Sequence, residues 1–492
     1  MTPPSQRAAT AAQGGVPLPL VVDLDETLVR TDTLFEQFIG LAFKRPLAAL
    51  ALLPALLGGR ARFKARLAAA HPIDAALLPY DEPLVAFLTE QREQGRPIHL
   101  VTAADHTVAE AIAAHCGFFD TAEGSNGATN LKGSRKAERL SERFPEGFVY
   151  AGDSRADLRI WDKAEAIILA GAAAGVTGQA RNLGKPIEAE FNREGAGPAA
   201  WTRALRLHQW AKNLLVFIPL LLSQQFADPN KVALSFAAFL ALGLTASATY
   251  LINDLSDLGS DRRHATKRRR PLAAGDLRIA EVALAVPALL AAAALLALLV
   301  SPPLLLGLAA YAALTLTYTF YLKRRAVLDV AALAALYAIR ISIGAAVIGA
   351  EHSPWLLTFS LSFFFSISLA KRYAEIHNLQ AAAERRPLPG RGYRTDDGPA
   401  VLALGASSSM ASVLIIVVYL MEEAFPSNLY DHPDWLWAAP FLLMIWVARI
   451  WLIAGRGELD EDPIAFAIRD RFSWLLAAPL VLGFALASIA WP

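Results

Sequence analysis

The sequence predicts two domains of different fold class in one chain of 492 residues. The first is an α/β domain with a parallel sheet and a helical cap; the second is an all-α membrane domain of about nine transmembrane helices. Three observations predict this. Residues 1–200 read like a water-soluble protein, whereas 213–492 carry repeated apolar runs, in a chain that is 55% hydrophobic. Each run is about 18–22 residues long, enough to cross a hydrocarbon core of ~30 Å. In the first part, apolar strands alternate with helical patterns, which implies a parallel sheet with its site at the strands' C-terminal ends.

The soluble part begins with Pro19-Leu-Val-Val-Asp-Leu-Asp-Glu-Thr-Leu28, an apolar strand ending in Asp23-x-Asp25-x-Thr27. A second strand, Ile98–Val101, ends in Thr102. Lys132 and Lys136 precede or open a helix, Lys136–Phe144. A third strand, Phe148–Tyr150, ends in Gly152-Asp153-Ser154-Arg155-Ala156-Asp157. The segment 33–96 reads as helical and forms the expected cap. Its apolar stretch Pro46–Leu57 is too short to span a bilayer; it packs in the cap or lies on the membrane surface. The expected domain runs over 17–170, and the glycines Gly171, Gly175, Gly178, Gly195 and Gly197 with Pro198 predict a loose linker over 171–200.

The membrane domain, 201–492, has expected spans near 213–223 (short), 232–252, 280–300, 303–321, 328–349, 355–370, 400–420, 435–454 and 473–491. Cations concentrate in alternate loops, among them Arg262 to Arg270, Lys323 to Arg325, Lys371, Arg372, Arg385, Arg386, Arg391, Arg394 and Arg456. The other loops hold Lys231 and the acidic Glu422, Glu423, Asp431 and Asp434. The positive-inside rule therefore predicts that the soluble domain and both sites lie in the cytoplasm, and the expected setting is a bacterial plasma membrane. Met1–Val16 lacks the pattern of a cleavable signal peptide. Cys116, the single cysteine, excludes an internal disulfide and an all-cysteine metal site. A net charge of +1 discriminates no partner.

The second span ends in Asn253-Asp-Leu-Ser-Asp-Leu-Gly-Ser-Asp261. Spacings of three and four put Asp254, Asp257 and Asp261 on one helical face, where their repulsion calls for a counterion. A hard divalent cation, Mg²⁺, suits these oxygens and brings a diphosphate with it. Arg340 falls inside a span, where a charge reads by default as lining a polar cavity. Glu375 is expected to pair with Lys371 at i,i+4. Trp210 and the aromatics of Tyr430–Trp437 read as interfacial belt residues, and Arg324 and Arg325 as topological anchors. No zinc spacing, nucleotide-binding glycine pattern or nucleic-acid module is present.

The ordered motifs of the soluble part resemble those of the haloacid dehalogenase (HAD) phosphatases. The resemblance implies Asp23 as the nucleophile that forms an aspartyl phosphate and Asp25 as the general acid and base. It also implies Thr102 with Lys136 or Lys132 as phosphoryl ligands; Lys136 is preferred because it starts the helix. Asp23, Asp25, Asp153 and Asp157 are the implied Mg²⁺ ligands. The structural alternative is a degenerate domain kept for binding or regulation.

The membrane part resembles the UbiA superfamily of intramembrane prenyltransferases, with nine helices and Asp-rich Mg²⁺ sites. Gln209-Trp210-Ala211-Lys212-Asn213, Tyr318 with Leu322-Lys323 and Asp329, Lys371-Arg372-Tyr373-Ala374-Glu375, and Asp462-Pro463 with Asp470 resemble the branch that makes polyprenyl-phosphoryl-phosphoribose, the decaprenyl-phosphate phosphoribosyltransferases. Leu207-His208 and Thr266 depart from that branch's pattern. The resemblance implies Mg²⁺ held by Asp254, Asp257 and Asp261 with Asn253. It implies substrate binding by Lys212, Asn213, Arg262, His264, Lys267, Arg268, Arg270, Tyr318, Lys323, Arg340, Lys371, Arg372 and Tyr373.

The leading expectation is transfer of 5-phosphoribose from phosphoribosyl diphosphate to a polyprenyl phosphate. HAD-type removal of the 5-phosphate would follow, making a pentose donor for cell-envelope glycans. Two alternatives compete: transfer of a prenyl group from its diphosphate to an aromatic or other acceptor, and a transporter or scaffold in which neither site turns over. The expected partners are the two lipid and sugar substrates and no nucleic acid, with a homo-oligomer left open.

Overall fold

The computed structural model describes residues 17–193, 197–381, 388, 390–427, 429–459 and 463–488. The readings made on Met1–Val16, Gly195, Arg385, Arg386, Asp462 and 489–491 lie outside these residues. The chain forms two compact units. One takes the chain up to Leu205 and adds Tyr250–Val286; the other holds Arg206–Thr249 and the chain from Pro287 onward.

The first unit is built on six parallel strands: β1 (Leu20–Val22), β2 (Ile98–Asp105), β3 (Thr121–Ser125), β4 (Val149–Gly152), β5 (Ala166–Ala170) and β6 (Ile187–Phe191), in the order β3-β2-β1-β4-β5-β6. Alternate residues of these strands feed two cores. Leu20, Val22, Leu100, Val149 and Ile168 face one side; Val21, Val101, Tyr150, Ile167 and Leu169 face the other. Burial on both faces explains why the strands read as continuous apolar runs. The chain steps outward from β1 to β3 and returns to add β4 on β1's other side. That reversal opens a crevice beyond the C-terminal ends of β1 and β4.

The cap comprises helices Thr33–Lys44, Pro46–Leu52 and Arg60–Ala70 with a 3-10 turn, Leu53–Gly58, between the last two. Asp32 starts the first by accepting from the Leu34 and Phe35 amides.

The segment 171–200 departs from its expected role as a linker. It contains a helix, Ala174–Arg181, and the sixth strand, whose pairing with β5 completes the sheet. Small residues suggested a loose tether, yet Val176 and Ala180 pack on the sheet core. Beyond β6, Arg193 donates to the Asp81 carboxylate and to the carbonyls of Glu26 and Thr27, the latter two at 2.6 Å.

Eight helices among the described residues are long and apolar enough to cross a membrane: Pro229–Ser256, Ile279–Val300, Pro302–Phe320, Leu328–Ile348, Pro354–Ala381, Thr395–Ala424, Pro433–Gly455 and Arg471–Ser488. The ninth expected span is the shorter Leu207–Leu222, mostly 3-10 with Pro219 at the start of its α-helical turn. Within the second unit Leu328–Ile348 is the most enclosed span, 67% buried over its apolar window against 17% for Arg471–Ser488. Small residues allow close contact there: a Cβ at Gly344 would collide with the Val216 carbonyl.

Arg193 and Asp81 form a largely buried ion pair. Arg193→Ala strands the carboxylate and frees two loop carbonyls, a loss of about 3–5 kcal/mol for a broken buried pair. Thermal unfolding of the detergent-solubilised protein should show a lower midpoint for Arg193→Ala; an unchanged midpoint would contradict this anchoring role.

Candidate active sites

The strand-end motifs converge. Asp23 extends β1 by one residue, its amide donating to the Ala151 carbonyl at 3.0 Å. The chain then turns sharply, with Glu26 at φ 58° and Arg193 holding the turn from behind. Left-handed backbone is costly for a residue with a Cβ, so this turn needs its anchors. Asp153 follows β4 and accepts from the Thr27 hydroxyl at 3.2 Å. Asp157, one helical turn on, accepts from the Ser154 amide and hydroxyl at 2.9 and 2.7 Å and from Tyr150 Oη at 3.1 Å.

Oxygens of Asp23, Asp153 and Asp157 lie within 4.8 Å of one another. Burial and mutual repulsion push Asp153 and Asp157 up from the ordinary carboxylate range. Three converging carboxylates facing chiefly one protein cation, Lys136, fit a hard divalent ion. Asp25 departs from the metal role expected of its side chain. Its Oδ1 accepts from the Thr33 amide and hydroxyl, both at 2.7 Å, at the base of the cap. Burial, with Asp32 and Asp23 nearby, raises Asp25 to about 7. A carboxyl that keeps its proton near neutrality suits a general acid.

Lys136 sits in the first turn of Ser134–Arg143, entered through Gly133 at φ 60°. Its Nζ is 2.9 Å from Asp23 Oδ1, and the residue lines the crevice. Thr102 is fully buried, its hydroxyl accepting from the Ala104 amide at 3.0 Å. Lys132 lines the same cavity from the preceding loop.

That cavity has a volume of about 620 Å³ and is walled by the strand ends, the cap and Arg278, Ile279 and Ala280. Sequence reasoning missed three residues here. Lys64, from the cap, donates to the Ala103 carbonyl at 2.6 Å, and burial lowers its ammonium from the usual range. Arg193 carries no motif. Arg278 reaches Glu26 at 3.4 Å from the segment after the Asp-rich helix. Only the surplus of arginines in 262–278 hinted at a partner for it.

The Asp-rich segment keeps helical hydrogen bonding across Asp257, with Asp257 N to Asn253 O at 2.9 Å and Asp261 N to Asp257 O at 2.8 Å. Asp254 and Asp261 therefore share a face, as expected. They differ from expectation in their partner: the Arg270 guanidinium bridges them at 3.1 and 2.6 Å. Among the described residues this segment does not gather three ligand atoms as closely as the Asp23 cluster does. Burial raises Asp261, while Arg270 opposes the shift. Arg262, expected on substrate, is instead buried against Glu36 of the cap at 2.5 Å and donates to the Ala273 carbonyl. His264 Nδ1 accepts from the Thr266 amide at 3.2 Å, and Lys267 and Arg268 are exposed.

In the second unit, Arg340 donates to Asn213 at 2.9 Å, to the Leu336 carbonyl at 2.5 Å and to Tyr311 Oη at 3.0 Å. Its expected site role becomes one of holding Asn213, because every face of the buried guanidinium needs a partner. Lys212 lies 5.8 Å over the Tyr337 ring. Arg372 is buried on Asp329 at 2.9 Å and on Glu375 at 2.7 Å, the latter an i,i+3 pair. Tyr318 Oη accepts from Arg391 at 2.6 Å, and Tyr373 packs on His377 and Trp451. Lys323 lies in the short 3-10 turn after Tyr321 and Lys371 on the Pro354–Ala381 helix. A separate cavity of about 500 Å³ is almost wholly apolar, lined by side chains such as Leu215, Phe359, Phe363 and Phe484.

These features define a membrane transferase that carries a phosphatase-type domain. The UbiA prenyltransferase family model matches residues 214–476, and a haloacid dehalogenase-like hydrolase model matches 20–161. The chain belongs to the UbiA prenyltransferase family. It is 42% identical to the uncharacterized protein y4nM of Sinorhizobium fredii, over 96% of this chain and 91% of that one. It is 32% identical to the decaprenyl-phosphate phosphoribosyltransferase of Mycobacterium tuberculosis, over 57% of this chain and 91% of the relative. The nodulation protein NoeC of Azorhizobium caulinodans is 29% identical, over 60% and 95%.

With Asp25 near 7, the protonated acid is lost as pH rises through that value. Hydrolysis of a phosphomonoester with a poor leaving group should therefore fall on the alkaline side, at or below about 7 once Mg²⁺ lowers the group. A nitrophenyl phosphate, which leaves without a proton, should lack that limb. Matching profiles for the two substrates would remove Asp25 from the acid role.

Proposed function

We propose that the membrane half transfers 5-phosphoribose from phosphoribosyl diphosphate to a polyprenyl phosphate. The HAD half then removes the ribose 5-phosphate, giving a lipid-linked ribose for cell-envelope glycans. The observation that carries the coupling is the docking of the Asp-rich segment's loop on the phosphatase cap. Arg262 pairs with Glu36, Arg30 with Asp276 at 3.0 Å, and Arg278 walls the phosphatase cavity. The relationship to the decaprenyl-phosphate phosphoribosyltransferases supports the choice of donor.

In the transfer, a lipid phosphate oxygen attacks ribose C1 and the diphosphate leaves. Asp254, Asp257 and Asp261, with Asn253, would hold Mg²⁺, which neutralises the departing diphosphate. Lys267, Arg268 and Arg270 bind its oxygens, and arginine's planar fork suits bidentate phosphate contact. Because Arg270 bridges Asp254 and Asp261, it keeps their charge matched before substrate arrives.

In the hydrolysis, Asp23 attacks phosphorus and the bond to the ribose 5-oxygen breaks. Asp25 gives that oxygen its proton. Asp25 then takes a proton from water, which attacks the aspartyl phosphate, releases inorganic phosphate and restores Asp23. Lys136, Thr102 and Lys132 hold the phosphoryl oxygens. Asp23, Asp153 and Asp157 would hold a second Mg²⁺. By the positive-inside rule both sites open on the cytoplasmic side.

Purified protein supplied with Mg²⁺, labelled phosphoribosyl diphosphate and polyprenyl phosphate should form lipid-linked ribose. Asp23→Asn should accumulate the phosphorylated lipid, and Asp257→Asn should form neither. Losing the acid, Asp25→Asn should slow dephosphorylation by about 10²–10⁴-fold. Mass spectrometry of the lipid fraction reads all four. Phosphorylated lipid from every active form would separate the phosphatase from this product. No pentose on lipid, with folded protein, would favour a prenyl diphosphate donor.

A further inference from the structure

The cap segment Pro46–Gly58 buries the wrong side of itself for a protein surface in water. Its small residues Ala49 and Ala55 pack inward on Leu41, Phe63 and Leu67. Leu52 packs partly inward with them, but most of the large residues point out: Leu47 is 81% exposed, Leu50 62% and Leu57 93%. A helix facing water does the reverse, since leucine gains far more than alanine from leaving it. The segment carries no charge of its own. Between Glu36 and Asp74 the chain holds six lysines and arginines and no acid. Lys44, Arg45, Arg60 and Arg62, which flank the leucines, are all exposed.

An apolar ridge framed by cations alone matches a bilayer surface bearing anionic headgroups. The same chain is membrane-embedded, so lipid is always nearby. The ridge also runs into the phosphatase cavity, which Leu56 and Arg60 line. We infer that Pro46–Gly58 inserts its leucines into the lipid interface, so that the phosphatase cavity takes its phosphomonoester from the membrane rather than from solution. The choice of lipid-linked substrate rests on the function proposed above; the insertion does not.

The insertion is read without catalysis. Full-length Cys116→Ser protein carrying Leu57→Cys, labelled with an environment-sensitive fluorophore, goes into nanodiscs containing anionic lipid. A spin label on the acyl chains should quench this fluorophore and aqueous iodide should not. A label at Glu90→Cys, exposed on the helix Glu82–Glu93 that packs Leu84 and Leu88 into the sheet core rather than the cap, should behave oppositely. Iodide quenching at position 57 equal to that at 90 overturns the inference. Shielding from both quenchers, with disulfide-linked dimers, overturns it in favour of a second copy covering the ridge.

The consequence for substrate choice is read with Leu50→Glu/Leu57→Glu. Turnover of nitrophenyl phosphate should be unchanged, whereas lipid-linked phosphoribose should be hydrolysed about tenfold more slowly for want of local delivery. Equal turnover of the lipid by both forms overturns membrane delivery. Wild type that hydrolyses neither substrate would sink the phosphatase reading, and the quenching result would then decide the insertion by itself.

Discussion

Crowded negative charge is the constraint around which the first unit is organised. Asp23, Asp153 and Asp157 approach within 4.8 Å in a largely buried crevice, and such carboxylates are tolerable only if something positive joins them. Lys136 supplies part of the balance from a helix start, and the hydroxyl of Thr27 and the donors of Ser154 supply hydrogen bonds. The Asp-rich segment solves a smaller version of the problem with Arg270 across Asp254 and Asp261. Catalytic potential and structural tension have the same origin in both places.

The chemistry of the crevice was legible in the sequence because reacting groups must sit where strands end. Asp23, Thr102 and Asp153 announced themselves through apolar runs stopping at polar residues, and Lys136 through its place at a helix start. What escaped was whatever depended on a distant partner. Nothing local distinguishes Arg193 from other surface arginines, and its value lies in two carbonyls more than a hundred residues away. The strand after Gly184 was hidden by glycine and alanine around it, which mimic a tether. Arg340 was legible as a costly charge and Arg372 as a substrate ligand, but neither as satisfied by partners within the protein. Asp329, Asn213 and Tyr311 consume them through tertiary contacts that no spacing encodes, and Glu375 adds an i,i+3 pair to Arg372.

The membrane spans followed a similar division. Length and hydropathy sufficed for eight helices. The short first segment was marked by its modest apolar run, and its 3-10 part packs Val216 closely against Gly344. Polar contacts inside this unit, such as Trp451 Nε1 to Ser409 Oγ at 2.8 Å, tie helices together where lipid gives no hydrophobic incentive to associate.

The loop that docks on the phosphatase cap passes very close to it. Gly275 adopts φ 75°, and any side chain there would strike the Arg30 carbonyl. Arg30 itself pairs with Asp276 next door. The two halves of this chain are therefore not interchangeable cassettes. A phosphatase domain of another shape would present a different surface to Gly275, so the loop and the surface it meets have to be fitted as one unit.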